Sequence, residues 1–344
     1  MKLLIITQKV DKNDDNLGFF HRWLLEFAKY TEQLTVICLQ KGEYDLPKNV
    51  RVLSLGKDEG RSRLTYLTRL YRYLWKERSN YDTAFVHMNP IYIVLAGICW
   101  KMLGKKIALW YTHKRVNLKL RVAEKFADII FTASQESFRL PSRKVVVTGH
   151  GIDIEKFKRG AGKRTDAKGN LLRIITAGRI TPVKNLHILI DAAKLLKDKG
   201  ISFELKIAGR PVTKDDEKYL AKLSGAVRDG ALEKEISFIG SVPYSKIETL
   251  YQSGDVFVNL SETGSLDKAV LEAMASGISV LTSNEAFFGM LPETHTIRML
   301  TPEELADKLP LAAFADDVPA LKNIVSENHS LGHLVRDIMQ TIAS

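Results

Sequence analysis

The 344-residue chain has few of the features that mark secreted or membrane-spanning proteins. Its two cysteines, Cys38 and Cys99, each lie in an apolar run, which disfavours a disulfide framework and a cysteine metal site. No stretch approaches the roughly 18 apolar residues that a membrane-spanning helix needs. We therefore expect buried free thiols and a cytoplasmic protein, either free or bound peripherally to the inner face of the cell membrane.

Acidic residues are scarce in the first half of the chain. Residues 1–155 contain 26 Lys and Arg against 16 Asp and Glu, whereas residues 169–344 contain 19 against 23. The net charge of +11 therefore originates in the first half and at the junction between the halves. Such a field attracts an anionic partner, which can be a membrane surface, a nucleic acid or an acidic substrate.

Short β-branched runs alternate with amphipathic stretches along the whole chain. The first half has seven strand-like runs and the second half six, the last of them at 296–300. This alternation is typical of parallel sheets with helices on both faces. We predict an α/β protein of two doubly wound, Rossmann-like domains that face each other across a central cleft, where the carboxyl ends of their strands meet a ligand.

The segment KFKRGAGKRTDAKGN, at 156–170, has no hydrophobic period and is rich in glycine and charge, as interdomain linkers are. It divides the chain into an N-terminal domain at 1–155 and a C-terminal domain at 171–320. We predict that a last helical segment, at 321–344, packs back on the N-terminal domain.

Strands of the second half end at glycines followed by polar residues. In TAGRITPVKN a strand ends at Gly178, and Arg179 and Lys184 flank a turn before the next helix. Two cations at a helix entry suit a diphosphate, because arginine can bind it bidentately and lysine adds a point charge. The alternative is that both side chains simply face solvent. Gly209 ends the next strand in the same way.

The stretch SETGSLDKAVLEAMASG turns from a strand into a helix. We predict Ser265 as its N-cap, which leaves amides at Gly264, Ser265 and Leu266 for a phosphate. Glu272 follows two helical turns later, about 10 Å along the axis, where its carboxylate can accept hydrogen bonds from the hydroxyl groups of a ribose. The alternative is an ion pair with Lys268, one turn earlier.

These two motifs, preceded by GHGID at 149–153, occur in order and resemble those of family 4 glycosyltransferases of the GT-B fold. The resemblance implies retaining transfer of a hexose from a UDP- or GDP-linked sugar to a glycan or lipid-linked acceptor, in cell-envelope polysaccharide or glycolipid synthesis. It implies no obligatory metal and no other cofactor. It also implies no enzymic nucleophile, because the acceptor hydroxyl would attack from the face that the leaving group departs, with a donor phosphate oxygen taking its proton.

The resemblance also assigns roles to residues. Arg179, Lys184 and His113 would be catalytic, the two cations stabilising the leaving diphosphate in place of a metal. The donor would contact a larger set: Gly209, Ile239, Ser241, Gly264, Ser265, Leu266, Lys268 and Glu272.

The sequence departs from the family at Gly264, where many members have a second glutamate that contacts the donor sugar. Backbone amides, Asp267 or Lys268 would then recognise the sugar here. The missing acid also leaves open a catalytically weak nucleotide-sugar-binding protein of the same fold. A nucleic-acid-binding protein, suggested by charge alone, would leave the motifs unexplained, so we expect no nucleic-acid partner.

The first half would bind the acceptor. Asn16 and Gly18 lie in the loop after the first strand, and the usual paired glycines of the family are absent there. His87 and His113 follow later strands, where a histidine can hydrogen-bond a sugar or an acceptor hydroxyl. A structural role, which is commoner for a lone histidine, stays open for both.

The segment RSRLTYLTRLYRYLWKERSN, at 61–80, is basic and aromatic, with a helical apolar stripe at Leu64, Leu67, Leu70 and Leu74. A helix of this kind can lie in an anionic membrane interface. It can equally pack on the first sheet with a solvated basic face. We expect an anionic membrane surface as a partner of the basic N-terminal domain.

Overall fold

The computed structural model describes residues 1–158, 171–262 and 264–344, with only the backbone of Lys158. These residues divide into two compact units. The first comprises Met1–Gly151, Pro243–Ser245 and His329–Ser344, and the second comprises Ile152–Val242 and Lys246–Asn328. Of the predicted linker, residues 156–158 end a helix and the remainder lies outside the described residues.

Twelve named strands form two sheets in the described part of the chain. The strands are β1 (Lys2–Val10), β2 (Gln33–Lys41), β3 (Val50–Ser54), β4 (Thr83–His87), β5 (Lys106–Trp110), β6 (Ile129–Thr132), β7 (Val145–Val147), β8 (Leu172–Ala177), β9 (Phe203–Ala208), β10 (Ile236–Gly240), β11 (Val256–Asn259) and β12 (Ser279–Thr282). Their orders are β3-β2-β1-β4-β5-β6-β7 in the first unit and β10-β9-β8-β11-β12 in the second. Every pairing is parallel.

Helices connect these strands and follow them. They are α1 (Phe19–Tyr30), α2 (Arg63–Lys76), α3 (Ile91–Met102), α4 (Leu118–Phe126), α5 (Ile154–Lys158), α6 (Leu186–Asp198), α7 (Lys214–Asp229), α8 (Ile247–Gln252), α9 (Lys268–Ala275), α10 (Pro302–Ala313), α11 (Val318–Asn328) and α12 (Leu331–Ala343). The helix α11 belongs to the second unit, whereas α12 belongs to the first and packs on α1. Among the described residues, no helix combines the length and the apolarity required to cross a bilayer.

Alternating strand residues bury against helices on both faces of the first sheet. Residues such as Leu4 and Ile6 pack with α2, α3 and α4 in one core cluster, whereas Phe85 and Trp110 contact aromatic side chains of α1. This alternation follows from the two-residue period of a strand. In the second unit, α6, α7 and α10 cover one face of the sheet.

Two details differ from the sequence prediction. The run at 296–300 is not a strand: Thr296 forms one isolated bridge with Thr282, and the amides of Arg298 and Met299 hydrogen-bond to the carboxylate of Glu304 instead of to a strand. In α2, Leu70 and Leu74 are buried as expected, but Leu64 is 70% exposed. Both cysteines are free, but only Cys38 is buried as expected, whereas Cys99 is partly exposed. Burial raises the pKa of the Cys38 thiol to about 12.

Candidate functional site

The connections of the second sheet change direction between β8 and β11. In open parallel sheets, ligands bind beyond the carboxyl ends of the strands at such a point. A pocket lies there, lined by the ends of β8, β9 and β11 together with Arg179, Lys184 and Leu186. The topology and the pocket therefore identify the same edge of the second sheet, which we call the β8–β11 edge.

Glycine backbone forms the floor of this edge. Gly178 and Gly209 have φ values of 149° and 146°, which few other residues adopt. A Cβ on Gly209 would lie 1.8 Å from the carbonyl oxygen of Gly178, so no side chain fits between the two strand ends. The Gly209 amide donates a hydrogen bond to the carbonyl of Gly240 at 2.8 Å, which brings the end of β10 to the same edge. The predicted contact of Gly209 with the donor stays a prediction.

Lys184 is held at this edge by an acid that sequence reasoning did not pair with it. Its Nζ lies 2.8 Å from Oδ2 of Asp267, and the same oxygen accepts a hydrogen bond from Asn259 Nδ2 at 2.9 Å. Burial alone would raise the pKa of Asp267, but the nearby charge of Lys184 and these hydrogen bonds lower it overall. Asp267 is therefore ionised at neutral pH and partly neutralises Lys184.

Arg179 is in the opposite situation. Its side chain is exposed and makes no ion pair with any other residue that the structure describes. It follows Gly178 directly at the end of β8. An anion arriving at the β8–β11 edge would therefore find one unpaired cation and one cation already bound to a carboxylate.

The helix of the second motif begins later than predicted, so the expected N-cap at Ser265 is wrong. Asp267 caps α9, because its Oδ1 accepts a hydrogen bond from the amide of Ala269. Gly264, Ser265 and Leu266 form an irregular segment before the cap, in which Gly264 has a φ of 60°. Their amides consequently do not belong to the first turn of the helix.

Glu272 is the fifth residue of α9 and is 4% exposed. Its Oε1 pairs with Lys268, and its Oε2 accepts a hydrogen bond from the Tyr251 hydroxyl at 3.1 Å. The alternative from the sequence, an ion pair with Lys268, is thus present, but it is buried rather than solvated. Burial lowers the pKa of Lys268, although Glu272 and Asp267 oppose the shift, and burial together with the Glu272 charge raises the pKa of Tyr251.

Asparagine side chains fix the segment between β11 and α9. Asn185 donates to the carbonyl of Leu260 at 3.0 Å, and Asn284 donates to the carbonyl of Ser265 at 2.8 Å. Asn185 and Asn284 come from two separate loops, and Asn259 is the last residue of β11 at the same edge. Sequence reasoning missed them, because a single asparagine in a loop has no distinctive spacing.

The remaining donor residues of the prediction lie at the end of β10. Ile239 is 41% exposed, and Ser241 is also exposed. Ile239 therefore presents apolar surface to solvent one residue before Gly240. The predicted contacts of Ile239 and Ser241 with the donor stay predictions.

The first sheet also changes direction, between β1 and β4, yet this edge is filled with aromatic side chains. His87, at the end of β4, is 2% exposed and stacks on Phe20 with ring centroids 3.9 Å apart. Its Nδ1 lies 3.2 Å from the Thr7 hydroxyl. Burial, together with the nearby His150, lowers the pKa of His87 to about 3. This placement favours a structural role and keeps the ring from direct contact with an acceptor in this conformation.

The other predicted acceptor residues lie in loops of the first unit. Asn16 is exposed, and its amide donates to Asp14 Oδ1 at 2.9 Å. Gly18 precedes α1, and a Cβ there would lie 2.4 Å from the Asp14 carbonyl oxygen, so close packing explains this glycine. His113 is exposed beyond β5, with its ring edge-on to Tyr111. The structure therefore places Asn16 and His113 at the surface and His87 in the interior.

Comparison with known proteins shows what these units are similar to. Residues 157–300 match the family model described as glycosyl transferases group 1. The amylovoran biosynthesis glycosyltransferase AmsK of Erwinia amylovora is 34% identical over 175 residues, which are 49% of this chain and 41% of that protein. The match thus covers less than half of the relative's length.

Solved structures extend the similarity to the whole fold. HepE from Anabaena, crystallised with UDP and glucose, has a TM-score of 0.78 at 18% identity, over 100% of both chains. A glycosyltransferase from Rickettsia africae has a TM-score of 0.73 at 16% identity, over 100% of this chain and 99% of that one. The predicted fold class, two doubly wound Rossmann-like domains of the GT-B type, is confirmed.

Proposed function

We propose that the chain is a glycosyltransferase that moves a hexose from a UDP- or GDP-linked sugar to a glycan or lipid-linked acceptor. AmsK, which is similar to about half of this chain, is named for polysaccharide biosynthesis, and HepE was crystallised with UDP. The observation that carries the proposal is the β8–β11 edge, where glycine backbone, Arg179 and Lys184 surround a pocket. A pathway of cell-envelope polysaccharide or glycolipid synthesis, with the acceptor at an anionic membrane surface, suits this activity.

Binding of the donor would rearrange the ion pair at this edge. The diphosphate competes with Asp267 for Lys184, while Arg179 approaches it from solvent. Both cations then stabilise the charge that develops as the sugar–phosphate bond breaks. Because two fixed cations serve the leaving group, we propose that transfer needs no divalent metal or other cofactor.

Glu272 would hold the ribose of the nucleotide. A carboxylate has about four lone-pair sites, so Glu272 can accept ribose hydroxyls while it keeps Lys268 and Tyr251 as partners. These two side chains would fix its orientation. Asp267 and the irregular segment at 264–266 would then contact the donor sugar, because position 264 carries no acid.

We propose that transfer retains the anomeric configuration. The acceptor hydroxyl would attack the anomeric carbon from the face that the nucleoside diphosphate leaves, and a donor phosphate oxygen would accept the proton of that hydroxyl. Because the acceptor itself attacks, no nucleophilic side chain is required. Asn16 and His113, the two exposed candidates of the first unit, would orient the acceptor. NMR of the product linkage distinguishes retention from inversion directly.

The test is release of nucleoside diphosphate from a panel of UDP-, GDP- and ADP-linked hexoses, with and without lipid-linked and glycan acceptors. We expect turnover with at least one donor, unchanged by a metal chelator, and at least a 100-fold loss in Lys184→Ala. Lys222→Ala, which removes an exposed lysine of α7 in the same unit, is the matched control. Turnover that Lys184→Ala leaves intact would contradict the proposed site.

A second candidate is a nucleotide-sugar-binding protein without turnover. The observation that favours it is Gly264, where the backbone is buried, has a φ of 60° and carries no acid. The same panel separates the two functions when combined with thermal unfolding, because a ligand that binds only the folded state raises the melting temperature. A thermal shift without turnover for every donor and acceptor pair would establish this second candidate.

A further inference from the structure

The outer surface of the first unit carries an apolar strip that no other part of the described chain covers. On α2, Leu64, Tyr71 and Trp75 are 70%, 41% and 61% exposed. On α3, Ile98 and Met102 are 63% and 83% exposed. We call these five residues the α2–α3 strip.

The strip lies on one face of each of two helices. Leu64, Tyr71 and Trp75 are spaced by seven and four residues, and Ile98 and Met102 by four, so each set lies on one helix face. The Tyr71 hydroxyl donates to the carbonyl of Leu95 on α3 at 2.7 Å, which joins the two faces. The two sets of side chains therefore lie on helices that contact each other.

The strip does not belong to the packing of the sheet. The inward faces of α2 and α3 already supply Leu70, Leu74, Ile93 and Trp100 to the core, each at most 1% exposed. A helix with a second, outward apolar face requires another apolar environment to cover that face.

Positively charged residues border the strip, and few acidic residues occur among them. Residues 61–125 contain fourteen Lys and Arg against three Asp and Glu. Several exposed cations of α2 and α4 form no ion pair with the residues that the structure describes: Arg63, Arg72, Lys76, Lys119, Arg121 and Lys125. Arg78 lies over the Trp75 ring, with Cζ 4.4 Å from the centroid, so a cation and an aromatic ring meet at the end of the strip.

We infer that the α2–α3 strip binds a bilayer that contains anionic lipids. Leucine, isoleucine and methionine side chains would enter the acyl boundary, Tyr71 and Trp75 would lie at the headgroup level, and the cations would contact lipid phosphates. An acidic protein would account for the charge, but five exposed apolar side chains beside unpaired cations fit an interface that is apolar within and anionic at its surface.

This inference deepens the proposed function, since it places a lipid-linked acceptor beside the enzyme, but its test does not depend on turnover. The protein has four tryptophans, and Trp23, Trp100 and Trp110 are each at most 1% exposed. Trp75 is therefore the tryptophan whose emission reports on the strip. Insertion into acyl chains shifts that emission to the blue, and brominated lipids quench it.

The experiment titrates the full chain with vesicles of phosphatidylglycerol and phosphatidylcholine, and with vesicles of phosphatidylcholine alone. We expect a blue shift and cosedimentation with the anionic vesicles, both weakened at 0.5 M salt. Each cation near the surface contributes roughly fivefold to binding, so Arg63→Gln/Arg72→Gln/Lys76→Gln should weaken it by at least tenfold. Trp75→Phe should remove the blue shift but retain cosedimentation.

The apolar part of the strip has a matched control. Leu64→Ser/Met102→Ser should weaken cosedimentation by at least tenfold, whereas Leu311→Ser/Phe314→Ser, which changes two exposed apolar residues of the second unit, should not. Equal effects of the two double variants would overturn the inference. Binding of polyglutamate without binding of anionic vesicles would overturn it in favour of an acidic protein partner. Donor turnover without lipid binding would refute the inference while leaving the proposed function intact.

Discussion

The two sheets share one strand order over five strands, but their carboxyl edges have opposite chemistry. Between β1 and β4 the edge is closed by stacked rings, with His87 against Phe20 and almost no exposed surface. Between β8 and β11 the edge is open, floored by glycine backbone and lined by Arg179 and Lys184. A doubly wound sheet therefore offers a place for a ligand where its connections change direction. The residues at the strand ends determine whether a ligand can bind there.

The two units also bury polar groups in different ways. In the second unit, buried and half-buried charges occur in compensating pairs, namely Lys184 with Asp267 and Lys268 with Glu272. In the first unit, the buried His87 is kept neutral by its surroundings. We expect the stability of the charge pairs in the second unit to depend on the presence of both partners. We expect the contribution of His87 in the first unit to depend on pH.

The largest effect should come from breaking the buried set on α9. Glu272→Ala removes the partner of Lys268 and the acceptor of the Tyr251 hydroxyl. Leaving a buried charge unpaired costs about 3–5 kcal/mol of unfolding free energy. Urea denaturation of the full chain measures this loss.

The double variant Lys268→Met/Glu272→Met is the control for that loss. Replacing both charges by apolar side chains of similar volume should restore most of the stability, while binding of a nucleoside diphosphate stays impaired because the ribose acceptor is gone. A double variant as unstable as Glu272→Ala would show that packing, not charge pairing, dominates at this site.

A smaller effect is expected from pH at the aromatic edge. The pKa of His87 is lowered to about 3, so below an unfolded-state pKa of 6.5 the unfolded chain binds a proton that the folded chain does not. This contribution to stability is complete above pH 6.5, and it is lost towards pH 3 at up to about 1.4 kcal/mol per pH unit.

Denaturation midpoints at pH 7, 6 and 5 test the assignment. His87→Phe, which cannot titrate and suits an aromatic stack, should show a shallower loss of stability than the unmodified chain. His187→Phe, at an exposed histidine of the second unit, serves as the comparison. If the stability of all three proteins changed equally with pH, residues other than His87 would cause the acid sensitivity.

The smallest effect should appear at the ion pair of Lys184. Asp267→Asn retains an N-cap side chain but removes the carboxylate that competes with an arriving diphosphate. We expect binding of the nucleoside diphosphate to tighten about fivefold, equivalent to about 1 kcal/mol. Calorimetric titration measures it, and weaker binding would mean that Asp267 orients Lys184 rather than restraining it.

The fold and the open edge could be predicted from the sequence because both depend on local signals. Strands of β-branched residues ending at Gly178 and Gly209, followed by two cations, identify the β8–β11 edge without any knowledge of packing. The prediction of the N-cap was wrong because contacts between residues distant in the sequence determine it. Asp267 became the N-cap in place of Ser265 because Lys184, from the turn before α6, and Asn259, at the end of β11, also bind its carboxylate.

The first unit was less predictable for the same reason. A histidine at a strand end has the same sequence signal whether it faces a ligand or the interior, and the stacking of His87 on Phe20 arises only when α1 packs on the sheet. Leu64 continues the helical spacing of Leu70 and Leu74 yet lies outside the core. Spacing identifies an apolar residue but does not show which surface covers it.

The most direct test of the central claim is a crystal structure with the nucleoside diphosphate that most raises the melting temperature. The account predicts the diphosphate at the β8–β11 edge, with phosphate oxygens within about 3 Å of Lys184 Nζ, the Lys184–Asp267 pair opened and the ribose hydroxyls on Glu272. A diphosphate bound elsewhere, with the Lys184–Asp267 pair intact, would contradict it.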